Sequence, residues 1–190
     1  MTYTDTFHFV EHYSGLIAMT ITWAVVVAYS LFKMEVQIGS ETISTVLRKH
    51  KTELQVVTLW LFIGAFFQWW FLWYILGRFS EIRDSWFVFV YISMSVATVI
   101  SAAFLPTRFH SWHYYAGLVY FCMAPAMMFL FAVALGKERA ALYMISLVCA
   151  SVYAVGEICL IVLKKSFSNT VLEMYGFLIL SVWAVSVTFI

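Results

Sequence analysis

Apolar residues fall in six long runs separated by short polar breaks: 15–32, 54–76, 86–105, 114–135, 141–163 and 171–190. Each run is close to the roughly 20 residues that a helix needs to cross the hydrocarbon of a bilayer. All the breaks except 33–53 are short, and short links force successive helices to run antiparallel. The pattern predicts an all-α, polytopic integral membrane protein: a compact six-transmembrane-helix bundle with up-down topology. Residues 1–190 form one transmembrane domain with no room for a soluble one. No internal repeat is visible.

Helix punctuation agrees with these bounds. Gly77 and Gly136 stand where C-caps belong. Thr170 and Glu173 read as a capping box, with Thr170 as N-cap. Pro125 falls inside the fourth run and predicts a kink there. Ser93, Ser95, Ala97, Thr98 and Ser101 mark a close-packing face on the third helix. The first run follows the polar, acidic segment Thr2-Tyr3-Thr4-Asp5 and shows no small-residue cleavage site, so it is expected to stay as a span.

Composition sharpens this picture. Hydrophobic residues make up 64% of the chain and charged residues 11%, against about 25% charged in soluble domains. Only lipid can cover so much apolar surface. Aromatic residues reach 19%, with eight Trp and eleven Tyr, side chains that favour the membrane interface. The net charge of +1 gives nucleic acid nothing to bind. Cys122, Cys149 and Cys159 all fall inside spans with no CxxC pair and read as small packing residues. Basic residues bias the orientation. The loops after helices one, three and five hold seven (Lys33, Arg48, Lys49, Lys51, Arg108, Lys164, Lys165), and the other side holds four (Arg78, Arg83, Lys137, Arg139). Positive-inside reasoning then places both termini outside.

Four of the five histidines form two close pairs. His8-Phe9-Val10-Glu11-His12 matches the HxxEH pattern of inverzincins, in which two histidines hold zinc and the glutamate acts as base. It precedes the first span and has no third ligand nearby, so an amphipathic tail lying at the interface accounts for it better. The second pair is His110 and His113. The topology puts it on the opposite side of the membrane, about 30 Å of hydrocarbon away, which excludes a joint metal site. The same bookkeeping gathers Arg108, His110, His113, Glu157 and Glu173 in one leaflet, as a candidate ligand-binding cluster. A carboxylate facing lipid is costly, so Glu157 should face the bundle with a partner, and His113 is the partner expected. Such a cluster suits a polar lock between helices, a lipid-headgroup pocket in which Arg and His bind phosphate, or a catalytic or proton-relay site. No nucleophile or metal set is placed by spacing. Gln68 reads as an interhelical hydrogen bond. Residues 41–51 mix apolar and basic positions and fit either an interfacial helix or a plain positive loop. Facing histidine pairs and a mid-helix lysine are missing, so neither haem nor retinal is expected, and no cofactor is.

The order of certain residues resembles a six-helix prokaryotic membrane family of unknown function. That family is distantly similar to the damage-regulated autophagy modulator and GPI-lipid remodelling membrane proteins. The residues that carry the resemblance are Tyr29, Ile43-Ser44 with Leu47, Leu105-Pro106-Thr107, then His113, Ala116, Phe121 and Pro125, and finally Glu173 and Trp183. Two family acids are replaced, by Thr45 and Arg108. The resemblance implies six helices, a prokaryotic plasma membrane and lipid-related work.

The expectation is a non-catalytic integral membrane protein that binds a lipid or hydrophobic ligand or supports a membrane assembly. Its partners would be membrane lipids, other membrane subunits or a second copy. The rivals are a membrane-embedded lipid-modifying enzyme, a proton-coupled transporter or channel using Glu157, and an accessory subunit of a larger complex.

Overall fold

The structure is a computed structural model that describes residues 3–29, 32, 47–107, 109–162 and 169–190. The described residues are helical throughout, joined by turns, with no strand among them. We number the helices α1 (Tyr3–Ile21), α2 (Lys51–Arg78), α3 (Trp86–Phe104), α4 (His110–Leu135), α5 (Ala140–Val162) and α6 (Asn169–Phe189). At 1.5 Å per residue the 19 residues of α3 span about 28 Å, close to the thickness of bilayer hydrocarbon. Four helices, α2 to α5, are long and apolar enough to cross a membrane, and the apolar part of α6, Glu173–Phe189, is shorter.

The helices form a closed ring. Each packs against its neighbours in the chain, and α6 returns to α1. Polar or close contacts lock most of these interfaces. The Phe71 ring lies where a Cβ on Gly15 would be, so α1 and α2 approach closely. The Tyr91 hydroxyl donates to the Gln68 carbonyl at 2.9 Å and ties α3 to α2. Trp183 Nε1 donates to Ser146 Oγ at 3.1 Å between α6 and α5. Trp23 Nε1 donates to Ser181 Oγ at 2.8 Å and closes the ring. Bonds of this kind contribute about 0.6 kcal/mol each between membrane helices. The α5–α6 crossing is a reciprocal fit. Tyr175 of α6 packs on Gly156 of α5, and Tyr153 of α5 packs on Gly176 of α6. The Tyr175 hydroxyl also donates to the Val152 carbonyl.

The end of the ring that carries both chain termini is held by Arg78. Its Nη1 donates to the Val187 and Thr188 carbonyls at 2.7 and 3.0 Å, and to the Tyr74 hydroxyl at 2.6 Å. A guanidinium at the C-terminal end of α6 satisfies carbonyls that have no intrahelical partner and meets the negative pole of the helix. The fully buried Phe79 ring lies under two cations, Arg78 at 5.2 Å and Arg139 at 5.6 Å.

Several expectations are corrected. The first helix starts at Tyr3, not at residue 15. The segment around His8 and His12 is thus part of a helix packed on α2, with Phe7 against Trp70 and His12 edge-on to Tyr74. After Ile21 it continues as a π-helix, Thr22–Ala28. Gly77 lies inside α2, whose C-cap is the extended Phe79. Phe79 is fully buried. Thr170 lies inside α6 rather than before it, and its side chain is outside the described residues. Gly136 does cap α4, at φ 62°, a conformation that glycine adopts without strain. Helix α4 runs on through Pro125. The loop 41–51 lies outside the described residues up to residue 46. Leu47 turns into the protein and is 2% exposed.

Candidate functional site

The α3–α4 interface builds one wall of a cleft. Thr98 and Ser101 are three residues apart on α3, and His113, Gly117 and Tyr120 follow a four-then-three spacing on α4. Each set therefore occupies one helix face. Where the two faces meet, His113 Nδ1 lies 2.8 Å from both the Ser101 hydroxyl and the Ser101 carbonyl oxygen. A carbonyl only accepts, so Nδ1 carries the hydrogen, and in the neutral ring Nε2 is the acceptor. Lower in the wall, Thr98 Oγ1 shares its hydrogen between the Met94 carbonyl at 3.1 Å and Gln68 Oε1 at 3.3 Å. The Gln68 amide oxygen thereby accepts from Thr98, and Gln68 and Tyr120 both line the cleft.

The cleft holds about 130 Å³ and runs from the His113 end of the ring towards its middle. Apolar Leu47, Val57, Leu61, Leu105, Phe121 and Phe177 line it together with these polar groups. Thr22, the first residue of the π-helix, and Glu173 complete the lining. Widened π segments often mark functional places in helices. Gly117 leaves open space: a Cβ there would meet nothing within 4 Å.

Three of the five residues of the predicted cluster have side chains among the described residues. His113 and Glu173 share the cleft. His110 opens α4, with its side chain outside the described residues, and Arg108 lies outside them entirely. Glu157 stands elsewhere. No described side chain of α5 lines the cleft, and Glu157 is buried at 8% exposure, one turn beyond Tyr153. Glu157 Oε1 and the Tyr153 hydroxyl both lack a hydrogen-bond partner among the described residues. No contact between His113 and Glu157 occurs among the described residues, where His113 Nδ1 meets Ser101. Phe121 stands between the two places: its ring lines the cleft and also meets Gly176 beside the Tyr153 hydroxyl.

At the opposite end, His8 Nδ1 is 3.5 Å from Glu11 Oε2, and the His12 ring packs edge-on against Tyr13 and Tyr74. No group of three metal-ligating side chains occurs among the described residues. Gln68 makes the expected interhelical bond and also lines the cleft. Gly117, Tyr120 and Thr22 were not singled out from the sequence. The signal for Gly117 was its place in mid-helix, four residues after His113, where a glycine costs helix stability without a packing reason.

Five of the residues that carry the family resemblance, Leu47, Leu105, His113, Phe121 and Glu173, line the cleft. Comparison of the chain with protein-family models, curated proteins and solved structures finds no match.

Proposed function

We propose that this is an integral membrane protein whose six helices all cross the bilayer and whose one-ended cleft binds a lipid or other hydrophobic ligand without chemical turnover. The observation that carries this reading is the cleft itself: polar His113, Gln68 and Tyr120 line it together with apolar side chains, and a Cβ on Gly117 would meet nothing within 4 Å. Two bands of exposed aromatic side chains support the membrane setting. Trp112, Tyr114 and Tyr115 stand at one end of the ring, and Trp73 and Trp86 at the other. Between them Phe66, Phe89 and Val155 are each about 60% exposed, an outer surface suited to acyl chains and too apolar for water. The seven-to-four basic bias puts the cleft end inside and both termini outside.

The Ser101–His113 contact has the reach of a nucleophile–base pair, but its geometry favours binding. Nδ1 donates to the Ser101 carbonyl, so that nitrogen has no lone pair with which to take the serine proton.

Ligand binding to the folded state raises the unfolding temperature. Delipidated protein titrated with a total membrane lipid extract should therefore gain thermal stability, and Gly117→Leu, which fills the cleft, should not. Equal gains in both proteins would place the lipid effect outside the cleft and sink the reading.

A further inference from the structure

We propose that Glu157 is a proton-binding site inside the bilayer, occupied at neutral pH. The site lies outside the cleft. It rests on the membrane setting and not on the ligand-binding reading.

Depth comes first. Helix α5 is one of the four helices long and apolar enough to cross a membrane. Glu157 stands on its inward face, buried at 8% exposure. Ile158 and Val162 follow it on the outer face and are 60% and 76% exposed. The apolar exterior of α5 thus continues past Glu157, so hydrocarbon rather than water flanks the helix at this level.

Partners come second. Glu157 Oε1 is sealed from solvent and accepts no hydrogen bond from any described residue. The Tyr153 hydroxyl, one turn away on the same face of α5, is likewise buried with no partner among the described residues. An ionised carboxylate is an acceptor only, and burying its charge without donors costs far more than burying a neutral carboxyl. Acidic side chains held this way within membrane helices mark proton sites. The titratable groups within electrostatic reach of Glu157, among the described residues, are Cys122 from α4, Tyr153 on α5 itself and Tyr175 from α6. A thiol or a phenol is neutral or negative, never positive, so none of the three can offset a carboxylate. A proton does so directly. The carboxyl then donates as well as accepts, and so matches the Tyr153 phenol, which also does both.

The place of the site gives the proton a structural consequence. Glu157 adjoins Gly156, on which Tyr175 packs, and stands one turn from Tyr153, which packs on Gly176. The carboxyl is therefore part of the α5–α6 crossing, and an unpaired charge there would oppose the close approach of the two helices.

The test is infrared spectroscopy of the full chain in phosphatidylcholine liposomes at neutral pH, wild type against Glu157→Gln. A protonated carboxyl has a C=O stretch above the amide band, and a carboxylate has none there. The wild-type chain should show this band, shifted in heavy water, and Glu157→Gln should lose it. Where Glu157→Gln fails to fold, the wild-type chain alone serves, treated in the same liposomes with dicyclohexylcarbodiimide. In that reaction the carboxyl proton passes to one carbodiimide nitrogen and the carboxyl oxygen bonds to the central carbon. The acyl group then shifts to a nitrogen as a stable N-acylurea, with no leaving group. Mass mapping should find this adduct on Glu157 ahead of the other acidic residues, and a charged, water-soluble carbodiimide should not form it. A spectrum in which Glu157→Gln removes no protonated-carboxyl band would overturn the proposal. So would a wild-type chain that the apolar reagent leaves unmodified at Glu157. Neither result touches the cleft, which the lipid titration with Gly117→Leu reads separately.

Discussion

Two glycines in the same bundle should respond to alanine with opposite signs. In Gly117→Ala the new methyl meets nothing within 4 Å. The substitution removes the backbone freedom that glycine has in the unfolded chain and should stabilise the helix by about 0.5–1 kcal/mol. In Gly176→Ala the new methyl falls 2.7 Å from the Tyr153 hydroxyl and 2.8 Å from a Phe121 ring carbon, well inside the ~3.5–4.0 Å optimum for such contacts. Tyr153 is fully buried and has no room to swing away. Helices α5 and α6 must separate, at a cost of about 1–3 kcal/mol for overpacking. The helix-propensity gain of about 0.5–1 kcal/mol offsets part of that, leaving a net loss of up to about 2.5 kcal/mol. At roughly 2–4 °C per kcal/mol for a chain of this size, Gly117→Ala should melt a few degrees above the parent and Gly176→Ala a few degrees below. Thermal unfolding in detergent, followed by the fluorescence of the eight tryptophans, reads both. If Gly117→Ala lowers the melting temperature, or Gly176→Ala leaves it unchanged, the helix rotations that create the cleft and the tyrosine–glycine crossing are wrong.

Other outcomes follow from single contacts. Arg78→Leu removes charge-assisted bonds to the last carbonyls of α6 and should cost about 1.5–3 kcal/mol; Arg78→Lys should recover only part, since an ammonium lacks the fork. Trp183→Phe should cost about 1 kcal/mol through the lost bond to buried Ser146; a neutral result in thermal unfolding would mean that bond is not made. Glu157→Gln should leave the melting temperature equal or higher, because an amide is cheaper than a carboxylate around an unpartnered oxygen. Ligand binding should also survive it, and a tenfold loss would show that Glu157 belongs to the cleft after all. Single cysteines placed at Ser80 and Lys137 should react with a membrane-impermeant maleimide from the side that carries the chain termini; labelling from opposite sides would break the six-span topology.

Hydropathy made the later helices legible almost to the residue: the run 86–105 became Trp86–Phe104, and 141–163 became Ala140–Val162. In lipid the length of an apolar run and the length of a helix answer to the same bilayer. The first helix was read short because His8, Glu11 and His12 look like a polar tail. A helix needs no apolar side chains to bond its backbone, and the aromatic surface of α2 holds these residues through Phe7 and His12. Counting spans put His113 and Glu173 at one end of the bundle, because topology alone fixes which end. Which of the residues at that end share a cleft depends on how each helix is rotated about its own axis. Near-uniform hydrophobicity leaves little trace of that rotation. Glu157 therefore read as a partner of His113, although α5 turns it towards Tyr153 and away from the cleft. Gly117 and the π-helix at Thr22 belong to the same class: their meaning is spatial.

The most direct measurement is native mass spectrometry of the protein released gently from its own membrane, run side by side with Gly117→Leu. The wild-type chain should carry the bound mass of a lipid or other hydrophobic ligand, and Gly117→Leu should fly without it. A bare wild-type chain, or the same adduct on both proteins, would contradict a ligand-binding cleft at His113.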